Sequence, residues 1–167
     1  MSLLDTGAVF PDLTVKVVGG GTLNIREELA GGFGVVLFYR GSWCPYCTAQ
    51  LRAFQRVGER FTQAGIKVIA LSVDDETTAK DLVEKHKITF PVGHSADAHA
   101  IAEATGAFIN DEPEYLQSTG FVLAPDGKVV TAVYSSGAIG RLVPEDVLGL
   151  VSHLTKRLAD ESGDTTT

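Results

Sequence analysis

The chain has 167 residues, of which 44% are hydrophobic and 21% charged, and this composition predicts one globular domain with a substantial core. Its net charge of -7 and the lack of a basic block argue against nucleic acid and anionic membranes as partners. No apolar stretch is long enough to span a bilayer, and no secretory signal follows Met1, so we expect a cytoplasmic protein.

The first half of the chain alternates apolar runs with glycine-rich breaks, which predicts short elements around one buried strand. The expected elements are a β-hairpin of residues 13–18 and 22–25 around three glycines, a short helix at 26–30, a fully buried strand at 34–39 and a helix at 45–64. Pro45 suits the first position of that last helix, because an N–H group there would have no partner within the helix.

The second half of the chain again has a strand followed by helices, and then a hairpin. The expected elements are a strand at 66–73, a helix at 76–87 with Asp74 or Asp75 as its N-cap, a helix at 96–105 closed by Gly106, a hairpin of 120–124 and 128–134, and a final helix at 144–158. The Pro-Asp-Gly turn at 125–127 is a strong hairpin signal.

This order of elements predicts the α/β class, with a mixed central sheet flanked by helices and an N-terminal β-hairpin. Right-handed crossovers make the strands at 34–39 and 66–73 parallel. We find no linker, so residues 1–159 are predicted to form one domain, and the polar residues 160–167 a disordered tail. Reactive sites in such sheets lie beyond the carboxyl ends of the strands, which is where Cys44 is placed.

Cys44 and Cys47 are the only two cysteines, and they lie at the predicted helix start as Cys-Pro-Tyr-Cys. Backbone N–H groups there favour a thiolate, and lowering a thiol pKa from about 8.5 to about 6 raises the thiolate fraction at pH 7 from about 3% to roughly 90%. We therefore expect Cys44 to be the nucleophile and the more exposed thiol, and Cys47 to lie within disulfide reach. Inert buried thiols and a metal site remain the alternatives.

Four further residues could position a substrate or activate the thiolate. Arg40 lies four residues before Cys44, where a guanidinium would lower the thiol pKa and could hold a peroxide or a carboxylate. Ser42 and Trp43 occupy the intervening loop, and Trp43 could shield the thiolate or contact a partner protein. Arg141 precedes the final helix. The alternatives are a solvated or acid-paired surface position for each arginine and a partly buried anchor for Trp43.

No residue pattern indicates a metal or a cofactor. His94, Asp97 and His99 have a spacing that fits no strong metal-binding motif, and we expect surface residues around a helix start. The chain has no nucleotide-binding glycine pattern after a strand. We therefore expect neither a bound metal nor a tightly bound cofactor.

Several segments in order resemble the peroxiredoxin-like branch of the alkyl hydroperoxide reductase and thiol-specific antioxidant superfamily, which has the thioredoxin fold. They are residues 35–47 with the Cys-Pro-Tyr-Cys unit, 68–73, 88–92 followed by 96–106, and 121–129. Together they extend over most of residues 5–155. In the group that the chain resembles, an arginine just before the last helix is common, and Arg141 occupies that place.

Three positions depart from the usual peroxiredoxin pattern. Gly41 stands where a threonine or serine usually lies, three residues before the peroxide-attacking cysteine. Leu37 takes the place of a usual proline, and Ser118 the place of an activating arginine. The stretch around the cysteines looks like a less characterised peroxiredoxin-like group, and its Cys-Pro-Tyr-Cys unit is also similar to the glutaredoxin active site.

The resemblance implies a thiol-dependent peroxidase, in which Cys44 reduces hydrogen peroxide or a small alkyl hydroperoxide through a sulfenate that Cys47 converts to a disulfide. A thioredoxin- or glutaredoxin-type protein would then reduce that disulfide, and peroxiredoxin-like proteins often form homodimers. A thiol–disulfide oxidoreductase that uses the same cysteine pair is an alternative. A non-enzymatic redox sensor or partner-binding protein is a third.

Overall fold

The strand that leads to Cys44 lies in the middle of a mixed sheet. The computed structural model of the chain describes residues 3–164. Within this range the elements are, in chain order, β1 (Thr14–Val17), β2 (Thr22–Asn24), α1 (Ile25–Leu29), β3 (Gly34–Phe38), α2 (Pro45–Arg56), α3 (Gly58–Gln63), β4 (Lys67–Leu71), α4 (Glu76–His86), β5 (Val92–His94), α5 (Ala98–Thr105), β6 (Ile109–Asn110), β7 (Tyr115–Leu116), β8 (Thr119–Leu123), β9 (Val129–Tyr134) and α6 (Pro144–Asp164).

Seven of the strands in this described range form one sheet, in the order β2-β1-β5-β4-β3-β8-β9, and β6 pairs with β7 separately. β3 is parallel to β4 and antiparallel to β8, so that Gly34 lies opposite Lys67 on one side and Leu123 on the other. β5 is parallel to β4, whereas β1 and β9 run antiparallel to their neighbours β5 and β8. The predicted mixed α/β sheet is therefore confirmed.

Helices cover both faces of the sheet because β3 is apolar on both sides. Val35 and Leu37 pack into one core with buried side chains of α2, α4 and α6. Val36 and Phe38 alternate with them and pack into a second core with buried side chains of α1 and α5. The end of β3 is thereby held rigidly beneath the start of α2.

Both predicted hairpins are present. β1 and β2 are antiparallel around three glycines, with Thr14 opposite Asn24. β8 and β9 flank the Pro-Asp-Gly turn, where Gly127 N–H donates to the carbonyl of Ala124 at 2.9 Å. Gly127 has a φ of +85°, a left-handed conformation that favours glycine and explains the strength of the sequence signal.

The predicted helix of residues 45–64 is in fact two helices. α2 ends at Arg56 and α3 begins at Gly58, with Val57 between them at φ -102° and ψ 17°. A β-branched valine followed by glycine is a weak helix-forming pair, which accounts for the break. The apolar residues of α2 and α3 face inward on the same side, so the break between the two helices is not visible in the sequence pattern.

The last helix is longer than predicted. α6 continues to Asp164 rather than ending near Leu158, because the residues that follow Leu158 include no proline and offer good helix formers such as Ala159 and Glu161. Residues 165–167 of the predicted tail lie outside the described part of the chain. Among the helices of residues 3–164, none combines the length and the apolar character that a membrane crossing requires.

Candidate active site

Cys44 caps the N-terminus of α2. Its backbone is extended, with φ -89° and ψ 113°, and its Sγ accepts a hydrogen bond from Cys47 N–H at 3.3 Å. Pro45 occupies the first turn of the helix and removes one N–H group that would otherwise lack a partner. A sulfur in this position faces the positive end of the helix, which favours its thiolate form.

Both sulfur atoms are buried. Cys44 and Cys47 each have 0% of their surface exposed, so the prediction that Cys44 is the more exposed thiol is wrong. A helix start alone would leave Cys44 open, but the side chains of Arg40 and Arg141 reach its Sγ from two other parts of the fold. The sulfur is therefore enclosed beside two cations rather than by hydrocarbon alone.

Arg40 connects the cysteines to the segment before β8. Its Nη1 lies 3.7 Å from Cys44 Sγ, and its backbone N–H donates to Cys47 Sγ at 3.2 Å. Its Nε donates to Gln117 Oε1 at 3.1 Å, and its Nη2 donates to the Tyr115 hydroxyl at 2.9 Å. Because these bonds use several of the fixed donors of one planar group, they set both the position and the plane of the guanidinium.

Arg141 reaches the same sulfurs from the loop before α6. Its Nη2 lies 3.0 Å from Cys47 Sγ and 3.7 Å from Cys44 Sγ. Its Nη1 donates to Gln50 Oε1 at 2.8 Å, and the Gln50 amide in turn donates to the carbonyl of Leu142 at 3.0 Å. The buried Gln50 of α2 therefore fixes both the side chain of Arg141 and the loop that carries it.

The two thiols have opposite pKa shifts. Burial alone raises the pKa of Cys44, but hydrogen bonds from the Cys47 side chain and backbone, together with Arg40 and Arg141, outweigh it, so that the pKa of Cys44 is lowered. Burial raises the pKa of Cys47, and its hydrogen bond to Cys44 raises that pKa further. Cys44 is therefore the sulfur that ionises first, and Cys47 keeps its proton.

We expect Cys44 to be alkylated by iodoacetamide with a pH midpoint below that of an ordinary thiol, which is about 8.5. The reacting form is the thiolate, so the rate should decrease as the pH falls through the lowered pKa of Cys44, at a lower pH than for an ordinary thiol. Mass spectrometry of the peptide that carries both cysteines measures the rate at each pH. A midpoint at or above the ordinary value would contradict this assignment.

Trp43 and Tyr115 pack on the outer side of Arg40. Their ring centroids are 5.0 Å apart in an edge-to-face arrangement. The Cζ of Arg40 lies 4.9 Å from the Trp43 ring centroid and 5.1 Å from that of Tyr115. Both distances are typical of cation–π contacts, so the two rings support the guanidinium that touches Cys44.

Ser42 contributes to the site through its backbone. Its N–H donates to Asp74 Oδ2 at 2.8 Å, which ties the cysteine loop to the end of β4. Burial raises the pKa of Asp74, and the Ser42 N–H opposes that rise. Asp75, rather than Asp74, is the N-cap of α4 and accepts from Thr78 N–H at 2.8 Å. The acidic pair at the start of α4 therefore has two separate structural roles.

Replacing Asp74 with alanine is expected to lower the free energy of unfolding by about 1–3 kcal/mol, because the part-buried Ser42 N–H loses its acceptor. Asp74→Asn keeps a carbonyl oxygen at that position and is the matched control, with an expected loss of less than about 1 kcal/mol. Urea unfolding of the two variants measures the difference. Equal losses in both would show that the carboxylate charge, and not the hydrogen bond, anchors the loop.

His94, Asp97 and His99 were expected to be surface residues around a helix start, and this expectation is wrong for His94, which is 3% exposed. His94 is buried on β5, with its Nε2 3.3 Å from Glu76 Oε2 and its Nδ1 2.8 Å from Ser95 Oγ. The Asp97 side chain caps α5. His99 is exposed and lies near Glu114. Within the described residues these side chains do not converge on one point.

Sequence reasoning missed four residues of this site. Gln50 had a local signal, because it is a polar residue on the same helical face as Cys47, Leu51 and Phe54. Asp74 was interpreted as a possible helix cap. Tyr115 and Gln117 are separated from Arg40 by more than seventy residues, and no local pattern could have indicated their contact with it.

Comparison with known proteins identifies the family of the chain. A family model described as the AhpC/TSA family matches residues 6–132. The chain belongs to the AhpC/TSA family. In this AhpC/TSA chain, Ser118 occupies the position at which the family resemblance predicts an activating arginine. The guanidinium groups beside Cys44 come from Arg40 and Arg141.

Two named relatives agree with the AhpC/TSA assignment, and a solved structure shares the fold. A protein of Treponema denticola named peroxiredoxin is 31% identical over 147 residues, which are 84% of this chain and 69% of that protein. A protein of Chlorobaculum tepidum with the same name is 32% identical over 145 residues, 83% of this chain and 67% of that protein. The structure of Mycobacterium bovis AhpC has a TM-score of 0.79 at 19% identity, covering 93% of this chain and 94% of the other, and so shares its fold.

Proposed function

We propose that this protein is a thiol peroxidase in which the Cys44 thiolate attacks the O–O bond of hydrogen peroxide or an alkyl hydroperoxide. The sulfur takes one oxygen and becomes a sulfenic acid, while the other oxygen leaves with the bonding electron pair and takes up a proton as water or alcohol. The observation that carries this proposal is the convergence of Arg40, Arg141 and the Cys47 N–H on one buried sulfur.

These donors support two parts of the reaction. In the resting protein they favour the thiolate form of Cys44, which is the nucleophilic form. As the O–O bond breaks, negative charge develops on the leaving oxygen, and fixed guanidinium groups near that oxygen would stabilise it. Because Arg40 and Arg141 are held by Gln117 and Gln50, they need little rearrangement during the reaction.

Cys47 is proposed to complete the oxidative half of the cycle. Its thiol would attack the Cys44 sulfenic acid, form the 44–47 disulfide and release the sulfenic oxygen as water, with the thiol proton accounting for one of its hydrogens. The two residues are one helical turn apart, and the hydrogen bond from Cys47 N–H to Cys44 Sγ holds them together. A dithiol protein of the thioredoxin or glutaredoxin type would restore both thiols by exchange.

We also propose a domain organisation, a cellular location, an oligomeric state and general partners for the protein. We propose that the predicted single domain of residues 1–159, whose last helix continues to Asp164, acts in the cytoplasm. We also propose that it forms a homodimer, as peroxiredoxins often do. The peroxiredoxin relatives support a soluble peroxide substrate and a thiol-bearing reductant as the general partners. Size-exclusion chromatography with light scattering, on the reduced and the oxidised protein, tests the dimer.

One experiment tests the reaction itself. The reduced protein is mixed with one equivalent of peroxide, and Cys44 sulfenate is trapped and followed by mass spectrometry, with Cys47→Ser measured beside it. We expect fast sulfenate formation in Cys47→Ser and fast 44–47 disulfide formation in the unmodified protein, together with slow reduction of insulin disulfides. Slow reaction with both peroxide and insulin would contradict the proposal and favour a redox sensor.

A thiol–disulfide oxidoreductase is the second candidate. The specific observation in its favour is the Cys-Pro-Tyr-Cys unit at a helix start, with a lowered pKa at Cys44 and a raised pKa at Cys47. The same asymmetry would let Cys44 attack a protein or glutathione disulfide and Cys47 release the mixed disulfide. Fast insulin reduction with slow sulfenate formation would support this function in place of the peroxidase.

A further inference from the structure

Neutral side chains hold the guanidinium of Arg40. Its Nε donates to Gln117 Oε1 at 3.1 Å, and its Nη2 donates to the Tyr115 hydroxyl at 2.9 Å. Gln117 is itself firmly placed, because only 8% of its surface is exposed and its backbone N–H donates to the carbonyl of Phe108 at 2.8 Å. An amide oxygen therefore occupies a position from which a carboxylate could also have bonded to Arg40.

Arg141 is held in the same way. Its Nη1 donates to Gln50 Oε1 at 2.8 Å, and its Nε donates to the carbonyl of Ala138 at 2.8 Å. Gln50 is also 8% exposed, and its amide nitrogen donates to the carbonyl of Leu142 at 3.0 Å. Among the ion pairs formed within the described part of the chain, none includes Arg141 or Arg40. Both cations are therefore fixed by neutral dipoles.

The use of an amide instead of a carboxylate has an electrostatic consequence. A carboxylate bonded to a guanidinium cancels much of its charge at a neighbouring group, whereas an amide aligns the guanidinium and leaves its net charge intact. The Sγ of Cys44 lies 3.7 Å from Nη1 of Arg40 and 3.7 Å from Nη2 of Arg141. A thiolate at Cys44 is therefore an anion that both cations can share, in a buried position where screening by salt is weak.

We propose that Gln50 and Gln117 are positioning residues that hold Arg141 and Arg40 without neutralising them, so that both positive charges act on Cys44. For the step in which a leaving oxygen acquires charge, this inference rests on the proposed peroxidase function. For the ionisation of the thiol it depends on no substrate. The neutrality of the two amides, and not only their hydrogen bonds, then sets the reactivity of Cys44.

Within the described residues, the charged and titratable groups that face Cys44 come from three places. Cys47 lies one turn along α2, Arg40 follows β3, and Arg141 belongs to the loop before α6. Tyr39 lies on the buried side of the site near Cys47, and burial raises its pKa, so that it remains protonated. All of these groups are kept when a glutamine is replaced, so a change in the ionisation of Cys44 can be assigned to the new side chain.

Gln117→Glu and Gln117→Met separate charge from hydrogen bonding. Glutamate keeps an acceptor for Arg40 Nε and adds a negative charge, whereas methionine removes the acceptor and adds no charge. We expect Gln117→Glu to raise the pH midpoint of Cys44 alkylation by about one unit or more and to slow its oxidation by hydrogen peroxide about ten-fold or more. Gln117→Met should raise the midpoint by less than about half a unit, because Tyr115 still holds Arg40.

A merely structural role for the glutamines predicts the reverse order, since methionine is the replacement that loses the bond to the arginine. Gln50→Glu and Gln50→Met repeat the comparison at Arg141. Both replacements lose the donor to the Leu142 carbonyl, and only glutamate keeps the acceptor for Arg141. This second pair decides the question if Gln117→Glu does not fold, which circular dichroism shows.

Gln63→Glu is the matched control for charge, because it adds the same negative charge at an exposed position at the end of α3. It should leave the alkylation midpoint and the oxidation rate unchanged. Equal shifts in Gln63→Glu and Gln117→Glu would assign the effect to net charge and overturn the proposed role of the amides.

The failure of this inference and the failure of the proposed function are distinguishable. If folded Gln117→Glu shifts the alkylation midpoint by less than about half a unit, or if Gln117→Met shifts it more, the neutral anchors are overturned whatever the peroxide result. If the unmodified protein is not oxidised by peroxide while Gln117→Glu raises the midpoint as expected, the proposed function fails. The role of the two amides in the ionisation of Cys44 then stands.

Discussion

A Cys44→Ser variant is expected to consume peroxide at least about 10⁴-fold more slowly than the unmodified protein. A serine hydroxyl is not ionised at neutral pH, so the helix start and the two arginines would have no anion to stabilise. The substitution is close in size, and the residue remains an acceptable N-cap, so the fold should persist. Peroxide consumption, followed with a dithiol reductant in excess, measures the loss.

Cys47→Ser is the matched control, because it removes the other sulfur of the same pair. We expect its first oxidation to proceed at close to the normal rate, since Cys44 keeps Arg40, Arg141 and the backbone N–H of residue 47. The sulfenate should then accumulate, and turnover with a dithiol protein should stop. If Cys44→Ser still turned over, or if Cys47→Ser lost the first oxidation, the roles assigned to the two sulfurs would be wrong.

Replacing Arg141 with methionine is expected to slow oxidation of Cys44 by about 10²-fold at neutral pH. The guanidinium contacts both sulfurs, and its charge is one of the causes that lower the pKa of Cys44. Its loss should shift the pH midpoint of Cys44 alkylation upward and also remove a donor from the developing charge on the leaving oxygen. The raised pKa of Cys44 and the lost donor both slow the oxidation of Cys44 at neutral pH.

Arg56→Met is the control for Arg141→Met, because Arg56 is an exposed arginine at the end of α2. We expect it to leave the oxidation rate and the alkylation profile unchanged. A purely structural role for Arg141 predicts lower stability in urea with an unmoved alkylation midpoint. That outcome, together with a normal oxidation rate in the fraction that remains folded, would remove Arg141 from the reactive site.

The elements whose formation depends on residues adjacent in the sequence could be predicted. The two hairpins follow from their glycine-containing turns, and the buried strand β3 follows from its continuous apolar run. The start of α2 follows from Cys44 and Pro45, which is why the candidate nucleophile was identified without coordinates. β5 and β6 have only three and two residues and no hairpin turn signal beside them, so they carry no periodic signal and were not predicted.

The candidate site was predictable only in part, because its surroundings are assembled from distant segments. The sequence placed Arg40 near Cys44 through their short separation, and it named Arg141 through the resemblance. It did not reveal that Tyr115 and Gln117 hold Arg40, since those contacts depend on how β7 and the following residues pack across the sheet. The side chains of Arg40 and Arg141 enclose Cys44 in a way that the sequence did not reveal, which is why its exposure was predicted wrongly.

Arg40 and Arg141, which lie beside the two sulfurs, would also affect the reduction of a 44–47 disulfide back to two thiols. They favour the reduced protein, because only that form offers them a thiolate. In a 44–47 disulfide both cations would lie next to neutral sulfur, and their mutual repulsion would be uncompensated. If the proposed 44–47 disulfide forms, it would be a comparatively strong oxidant that accepts electrons readily from an ordinary dithiol. The arginines that prepare the sulfur for oxidation would then also favour its reduction back to the thiol.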